Sequence, residues 1–376
     1  MADPFWRYLP DLAACLIIVC VHYAFTRRVR TAAARLVVWA LAAWVILSFC
    51  FGLPGVADDI PRSQFLTWVR GAGVSWGLTS LGVFLVGLVW RRIPDTKFSP
   101  GRRRLLNAAR SAMVAAPVAV TGFGVFVERH WLSVREQKVV DSGLPKDLDG
   151  LRIVQLSDIH YGPFLNREDL ARAVDMANET KAHLAVVTGD LITTAHDSLD
   201  DCLLELARLR SGSGILACLG NHEIHAGAED YAEEEGAKRG IRFLRSQARR
   251  LRFGRAALNL AGVDYQRINR PYLAGAEKLV SPGEFNVLLS HNPDVFPVAR
   301  RKGFQLTLSG HTHGGQIAVE ILSENLSMAR FFTPYVYGLY TQGPSSIYVS
   351  RGIGTVGLPA RSGAPPEVSL VRLCAT

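Results

Sequence analysis

Before residue 130 the hydrophobic positions run together, and after residue 150 they come in short bursts separated by turns. Runs at Leu9 to Phe25, Leu36 to Val56 and Ala72 to Trp90 are each long enough, as helices, to cross a bilayer. A span takes about 20 residues for roughly 30 Å of hydrocarbon. A fourth run, Ser111 to Val127, is shorter and carries Pro117, Gly122 and Gly124. From Leu151 onward, β-type runs ended by polar turns alternate with amphipathic stretches such as Arg167 to Asn178, the layout of a layered α/β unit. The pattern predicts a membrane part over 1–130 with three to four transmembrane helices, a linker over 131–150 and a globular part over 151–376.

Charge sharpens this division. The net +9 of the 376 residues lies almost entirely before residue 151, which holds 18 basic and 10 acidic side chains against 24 and 23 afterwards. A basic surplus near apolar runs is what membrane loops collect, so a nucleic-acid partner is not expected for the globular part. Arg27, Arg28, Arg30 and Arg35 fill the first loop, and Arg91, Arg92, Lys97, Arg102, Arg103, Arg104 and Arg110 fill the third against Asp95. The second loop is balanced, with Asp58 and Asp59 beside Arg62 and Arg70. Placing loops one and three in the cytoplasm puts the globular part on the extracytoplasmic side if the fourth run crosses. The stretch Ser99 to Gly122 also resembles a twin-arginine export signal in mid-chain, with the same consequence. The six cysteines form no CxxC pair, so neither a disulfide framework nor a zinc finger is indicated.

The chemistry sits at the ends of the short apolar runs. SDIH carries Asp158 and His160, TGD carries Asp190, GNHE carries Asn221 and His222, LLSH carries His291, and SGHTHGG carries His311 and His313. Each follows a predicted strand, and in layered α/β folds such tips converge at one edge of the sheet. Two carboxylates, an amide carbonyl and several imidazoles suit Mn, Fe or Zn better than Mg or Ca. Gly189, Gly220 and Gly310 fit the tight turns such convergence needs.

These five blocks, in this order over Leu151 to Leu373, resemble the signature of the calcineurin-like metallophosphoesterases, with no signature position substituted. The resemblance implies a four-layer α/β/β/α domain and hydrolysis of phosphate esters by metal-activated water. It also implies two divalent metal ions. Asp158, His160, Asp190 and His313 would hold one, and Asp190, Asn221, His291 and His311 the other, with His222 left as the imidazole beside the scissile phosphate. The tail VSRGIGTVGLPARSGAPPE and SDIHYG further resemble the family's membrane-linked branch. The rival readings are a cytoplasmic-facing nucleotide phosphoesterase and a silent binding module on the same fold. Retention of His222 and every metal position argues against the second.

Two features suggest a phosphorylated lipid or other membrane-borne ester rather than a soluble nucleotide. One is a basic stretch with Lys238, Arg239, Arg242, Arg245, Arg249, Arg250, Arg252 and Arg255, and the other an apolar segment from Phe331 and Phe332 through Tyr335, Val336, Tyr337 and Tyr340. His225 and Arg351 are weaker candidates for the site. His130, His183 and His196 lie outside every block and are expected to be structural.

Overall fold

The computed structural model describes residues 9–50, 64–92, 100–267, 271–316, 318–321 and 324–376. The balanced second loop, with Asp58, Asp59 and Arg62, lies outside these residues, as do Asp95 and Lys97 of the third. The chain forms two compact units, Met1–Val127 with Gly357–Ala360, and Glu128–Val356 with Arg361–Thr376.

The first unit contains four helices, α1 (Leu9–Thr26), α2 (Ala32–Cys50), α3 (Gln64–Trp90) and α4 (Pro100–Phe126). Small residues line the inner face of α3, against Ile18, Val21 and Val45 buried on α1 and α2. On α3 the buried positions are Gly71, Gly73, Ser75, Gly77, Thr79 and Ser80, whereas Leu78, Leu85, Leu88 and Val89 are exposed. A Cβ on Gly73 would lie 2.1 Å from Ser48 Oγ, and one on Gly77 would lie 2.8 Å from Val45 Cγ1, so α2 and α3 approach closely only because these side chains are missing. Thr79 and Thr121 hydroxyls join α3 to α4 at 2.8 Å. Among the described residues, three helices are long and apolar enough to cross a membrane by length and composition, Ala32–Cys50, Gln64–Trp90 and Pro100–His130, and Leu12–Thr26 is a shorter apolar helix. The fourth run is thus part of a helix of spanning length. Its Pro117 lies within a continuous helix, its ring against the open face of Gly82.

The second unit is built on two six-stranded sheets. Its strands in chain order are β1 (Ser133–Asp141), β2 (Arg152–Leu156), β3 (Leu184–Thr188), β4 (Ile215–Cys218), β5 (Ile241–Phe243), β6 (Gln247–Phe253), β7 (Ala256–Gly262), β8 (Phe285–Leu289), β9 (Leu306–Ser309), β10 (Ala318–Ile321), β11 (Glu324–Ser327), β12 (Gly338–Gln342), β13 (Ser345–Val349) and β14 (Glu367–Ala375). One sheet has the order β1-β14-β2-β3-β4-β5 and the other β12-β13-β9-β8-β7-β6, with β10 and β11 a separate hairpin. Alternation along the strands makes the layers. In β3, Leu184 and Val186 face the second sheet, while Ala185 and Val187 face the helices α5 (Arg167–Glu179) and α6 (Leu199–Leu206). In β8, Phe285, Val287 and Leu289 face the first sheet and Leu288 packs outward with Val295 and Ala299. Helices cover both outer faces, which is the expected α/β/β/α order.

The expected linker needs correction. Residues 133–141 are strand β1, paired in parallel with β14 from Ser133↔Glu367 to Asp141↔Ala375. Most of β1 is exposed, and Val139 alone among its residues is buried, so it lacks the apolar alternation that marks a strand in sequence.

Candidate metal centre

Strands β2, β3 and β4 are mutually parallel, and so are β7, β8 and β9, so each sheet presents several C-terminal strand ends on a single edge. A buried polar floor locks these edges together. Gln155 Nε2 donates to Thr188 Oγ1 at 2.8 Å within its own sheet and to the Ser309 carbonyl of the other sheet at 2.9 Å.

The turns above this floor are tight. Asp158, His160, Asp190, His311 and His313 all have left-handed backbones, with φ of 50°, 49°, 53°, 77° and 52°. Each such residue costs roughly 1–2 kcal/mol in a non-glycine, and surrounding contacts must hold it there. Three glycines make room. Gly189 has φ of 84° and a Cβ there would lie 2.5 Å from Gly220 N. Gly220 and Gly310 leave space for carboxylates, since a Cβ would lie 2.1 Å from Asp190 Oδ1 and 2.2 Å from Asp158 Oδ2 respectively. Glu223, buried and not singled out from the sequence, accepts the N–H groups of Asp190 at 3.0 Å, Leu191 at 2.7 Å and Gly220 at 2.7 Å. It ties the TGD turn to the GNHE turn.

The structure brings Asp158, His160 and His313 together as one group that could hold a metal, and Asp190, His291 and His311 as another. A third grouping joins His160 and Asp190 to His222. His160 Nε2 faces His313 Nε2 at 3.0 Å and lies 3.6 Å from Asp190 Oδ2. His291 Nε2 lies 3.0 Å from Asp190 Oδ2 and 4.0 Å from Asp158 Oδ1. Outer partners fix the rings: His291 Nδ1 is 2.6 Å from the Thr188 carbonyl, which makes it the donor, and His160 Nδ1 is 3.0 Å from Thr193 Oγ1. His222 Nδ1 donates to the Thr193 carbonyl at 2.7 Å, so Thr193 orients two of the imidazoles.

Burial alone would disfavour charge at His291, yet Asp190 and Asp158 outweigh it and hold the ring at about 10. Burial drives His160 down to about 3 and His311 to about 4, so both are neutral and have lone pairs to offer. Asp158 rises to about 6 through burial, with neighbouring Asp190 adding to the rise against the pull of His291.

The donor set fits divalent cations on its own chemistry. Asp158 Oδ2, Asn221 Oδ1 and His313 Nδ1 are buried atoms that make no hydrogen bond, while His291 Nε2 meets Asp190 Oδ2 at 3.0 Å. An orphaned buried polar atom costs roughly 1–3 kcal/mol, and three of them around converging carboxylates point to ligands for a cation.

Other expectations fare differently. His225 is exposed, its ring 6.1 Å from that of His222. His183 Nδ1 accepts the Arg152 N–H at 3.0 Å, a structural role. Arg351 stacks over Tyr337 at 4.1 Å. The basic stretch divides. Lys238 and Arg239 pair with Glu235 at 2.5 Å, Arg245 pairs with Asp230 at 2.6 Å and Glu233 at 3.2 Å, and Arg250 pairs with Glu284, whereas Arg242, Arg252 and Arg255 are exposed. The apolar segment divides: Tyr335 and Val336 are buried, whereas Phe331 and Phe332 are 82% and 79% exposed. Tyr265, just past β7, was missed; its ring lies 5.4 Å from His311 and 6.1 Å from His291.

The family described as calcineurin-like phosphoesterase matches residues 151–315. An uncharacterised metallophosphoesterase of Aquifex aeolicus is 32% identical over 255 residues, covering 66% of this chain and 94% of the relative. Phosphodiesterase YaeI of Escherichia coli is 29% identical, covering 72% of this chain and 98% of its own length. A transmembrane protein with metallophosphoesterase domain from Danio rerio is 31% identical over 63% of this chain, a match spanning 57% of that longer relative. The chain belongs to the calcineurin-like phosphoesterases. It is a metal-dependent phosphoesterase of a dinuclear-metal family, and its apolar helices, like its relatives named as transmembrane proteins, point to membrane association.

Proposed function

We propose that this chain is a membrane-anchored hydrolase that cleaves phosphate mono- or diesters carried on membrane-borne molecules, with two ions of the Mn, Fe or Zn type. The convergence of carboxylate, amide and imidazole groups from five strand-end turns, several of their atoms without a hydrogen bond, carries this reading. Asp158, His160, Asp190 and His313 would hold one ion and Asp190, Asn221, His291 and His311 the other. Bound there, such ions polarise phosphoryl oxygens and make hydroxide available from water near neutral pH. The chain's own part is positioning and proton transfer. With Nδ1 committed to the Thr193 carbonyl, His222 keeps Nε2 to hydrogen-bond a phosphoryl oxygen and to pass a proton to the leaving oxygen as the P–O bond breaks.

Purified protein supplied with Mn and tested on lipid, nucleotide and sugar phosphates examines this directly. Asp190→Ala and His291→Ala should abolish hydrolysis and lose metal, whereas His222→Ala should keep metal and lower turnover by about a hundredfold or more. Equal metal loss in all three, or full activity of His222→Ala, would refute these roles.

The membrane-borne substrate is supported by Phe331 and Phe332, exposed on the segment that follows the HTHGG turn. Replacing both with Ser should spare a soluble chromogenic phosphate and impair a lipid phosphate in vesicles. Equal loss on both would remove the lipid reading. The extracytoplasmic side rests on the Arg-rich first and third loops. A phosphatase reporter fused after Thr376 should be active, and a fluorescent protein maturing there in the cytoplasm would reverse the orientation.

A further inference from the structure

The turn carrying His313 has four consecutive left-handed residues: His313, Gly314, Gly315 and Gln316, with φ of 52°, 61°, 85° and 51°. Two of them are not glycine, so the turn needs an external hold. That hold comes from the C-terminal tail. Arg361 is fully buried, and its guanidinium donates to the carbonyls of His313 at 3.2 Å, Arg351 at 2.7 Å, Ala364 at 3.0 Å and Gly354 at 3.1 Å. The adjacent Ser362 N–H bonds the Gln316 carbonyl at 2.9 Å, so residues 361 and 362 grip the turn at its start and its end. Gln316 in turn brackets Val356, accepting its N–H at 3.1 Å and donating to its carbonyl at 3.2 Å.

The same guanidinium also backs a second ligand turn. Gly354, whose carbonyl Arg361 binds, donates its own N–H to the Asp158 carbonyl at 2.7 Å. Asp158 and His313 belong to one candidate cation group, whereas in the other Asp190 and His291 are braced by Glu223 and Thr188, and the His311 N–H bonds Asp158 Oδ1 at 2.8 Å. A fully buried cation whose bonds go to backbone carbonyls is costly unless those bonds fix something. Its charge is offset through space by Asp158, Glu367 and Glu128.

We propose that Arg361 is a positioning residue that shapes the Asp158–His160–His313 cation subsite directly, its bonds going to the His313 and Gly354 carbonyls rather than to the turns of Asp190 and His291. The inference rests on the ligand roles proposed above. The fork geometry matters as much as the charge, since a lysine ammonium cannot reach four carbonyls at once.

The test uses the full chain in detergent, with Mn binding followed by calorimetry and by electron paramagnetic resonance. Arg361→Gln should weaken one of the two Mn equivalents by about 10- to 100-fold and leave the other unchanged, the size typical of lost outer-shell support. The coupled-pair signal should give way to that of an isolated ion. Arg361→Lys should fall between it and the wild type, and saturating Mn should restore kcat with KM unaltered. His313→Ala is the control. If it keeps both equivalents, the ligand reading fails and this inference fails with it. If it loses one while a folded Arg361→Gln keeps both, the inference alone fails. Should Arg361→Gln not fold, Arg361→Lys binding both ions at wild-type affinity overturns it. Loss of both equivalents together, in step with lost circular dichroism, also overturns it, because that marks general destabilisation.

Discussion

Helix α3 and the two-sheet unit bury different kinds of residue. In α3 Gly71, Gly73, Ser75, Gly77, Thr79 and Ser80 are inside and Leu78, Leu85 and Leu88 outside; in the two-sheet unit Leu184, Leu258, Leu289 and Leu308 are fully buried and the polar residues of β1 and β6 face outward. Both arrangements follow from what surrounds them. In water, apolar area is driven inward, whereas lipid offers leucine as good an environment as another helix does, leaving close backbone packing and hydrogen bonds to hold helices together. The inverted pattern of α3 fits a lipid surrounding, and it agrees with the three apolar helices of spanning length among the described residues.

The comparison can be broken by making matched substitutions on the two sides. Leu308→Ala, in the sheet interior, should cost about 2–5 kcal/mol, read as a lower unfolding midpoint of the catalytic unit in detergent by pulse proteolysis. Gly77→Leu should cost about 1–3 kcal/mol in the helical unit, because its first side-chain atom already meets Val45, and hydrolysis of a soluble ester should survive. Retention of helical stability in that variant would mean that close approach does not hold the bundle.

Acidification should act on the catalytic unit through its metal site. His291, held at about 10, must lose a proton to serve as a ligand, so cation affinity should rise about tenfold per pH unit from pH 7 to 9. Below about 6 the Asp158 carboxyl also binds a proton, and the slope should steepen. His160 and His311, already neutral, contribute nothing to it over this range. A flat affinity profile from pH 6 to 9 in Mn titrations would contradict the predicted protonation of His291. The smallest effect is expected for Leu85→Ala on the outer face of α3, within about 0.5 kcal/mol in lipid vesicles. A cost matching that of Leu308→Ala would mean that this face is buried against protein.

The five blocks were legible because a strand followed by a polar tip is a local pattern, and parallel strands carry their tips to one edge. The supports of the site were not legible in the same way. Glu223 stands inside a recognised block, but its task of receiving N–H groups from the Asp190 turn exists only once β3 and β4 lie side by side. Thr193 looks like an ordinary loop threonine until His160 and His222 both turn toward it. Arg361, an arginine in a Gly- and Pro-rich tail, is fully buried, and nothing in its sequence neighbours announces that. Nor could the sequence show which of the basic stretch are ion-paired, because the carboxylate partners of Arg239, Arg245 and Arg250, Asp200, Asp230 and Glu284, come from other segments.

Sequence by itself determined where the apolar helices lie, that strands with acidic, amide and imidazole tips follow, and which family these tips resemble. Each of those properties is carried by neighbouring residues and survives in a one-dimensional reading. Only the tertiary structure decided that β1 joins β14, that the left-handed turns are held from beneath, and that a buried guanidinium links the turns of Asp158 and His313. These depend on pairings between segments far apart in the chain, where the stabilising partner is set by packing and backbone hydrogen bonding, and no local pattern of residue types specifies it.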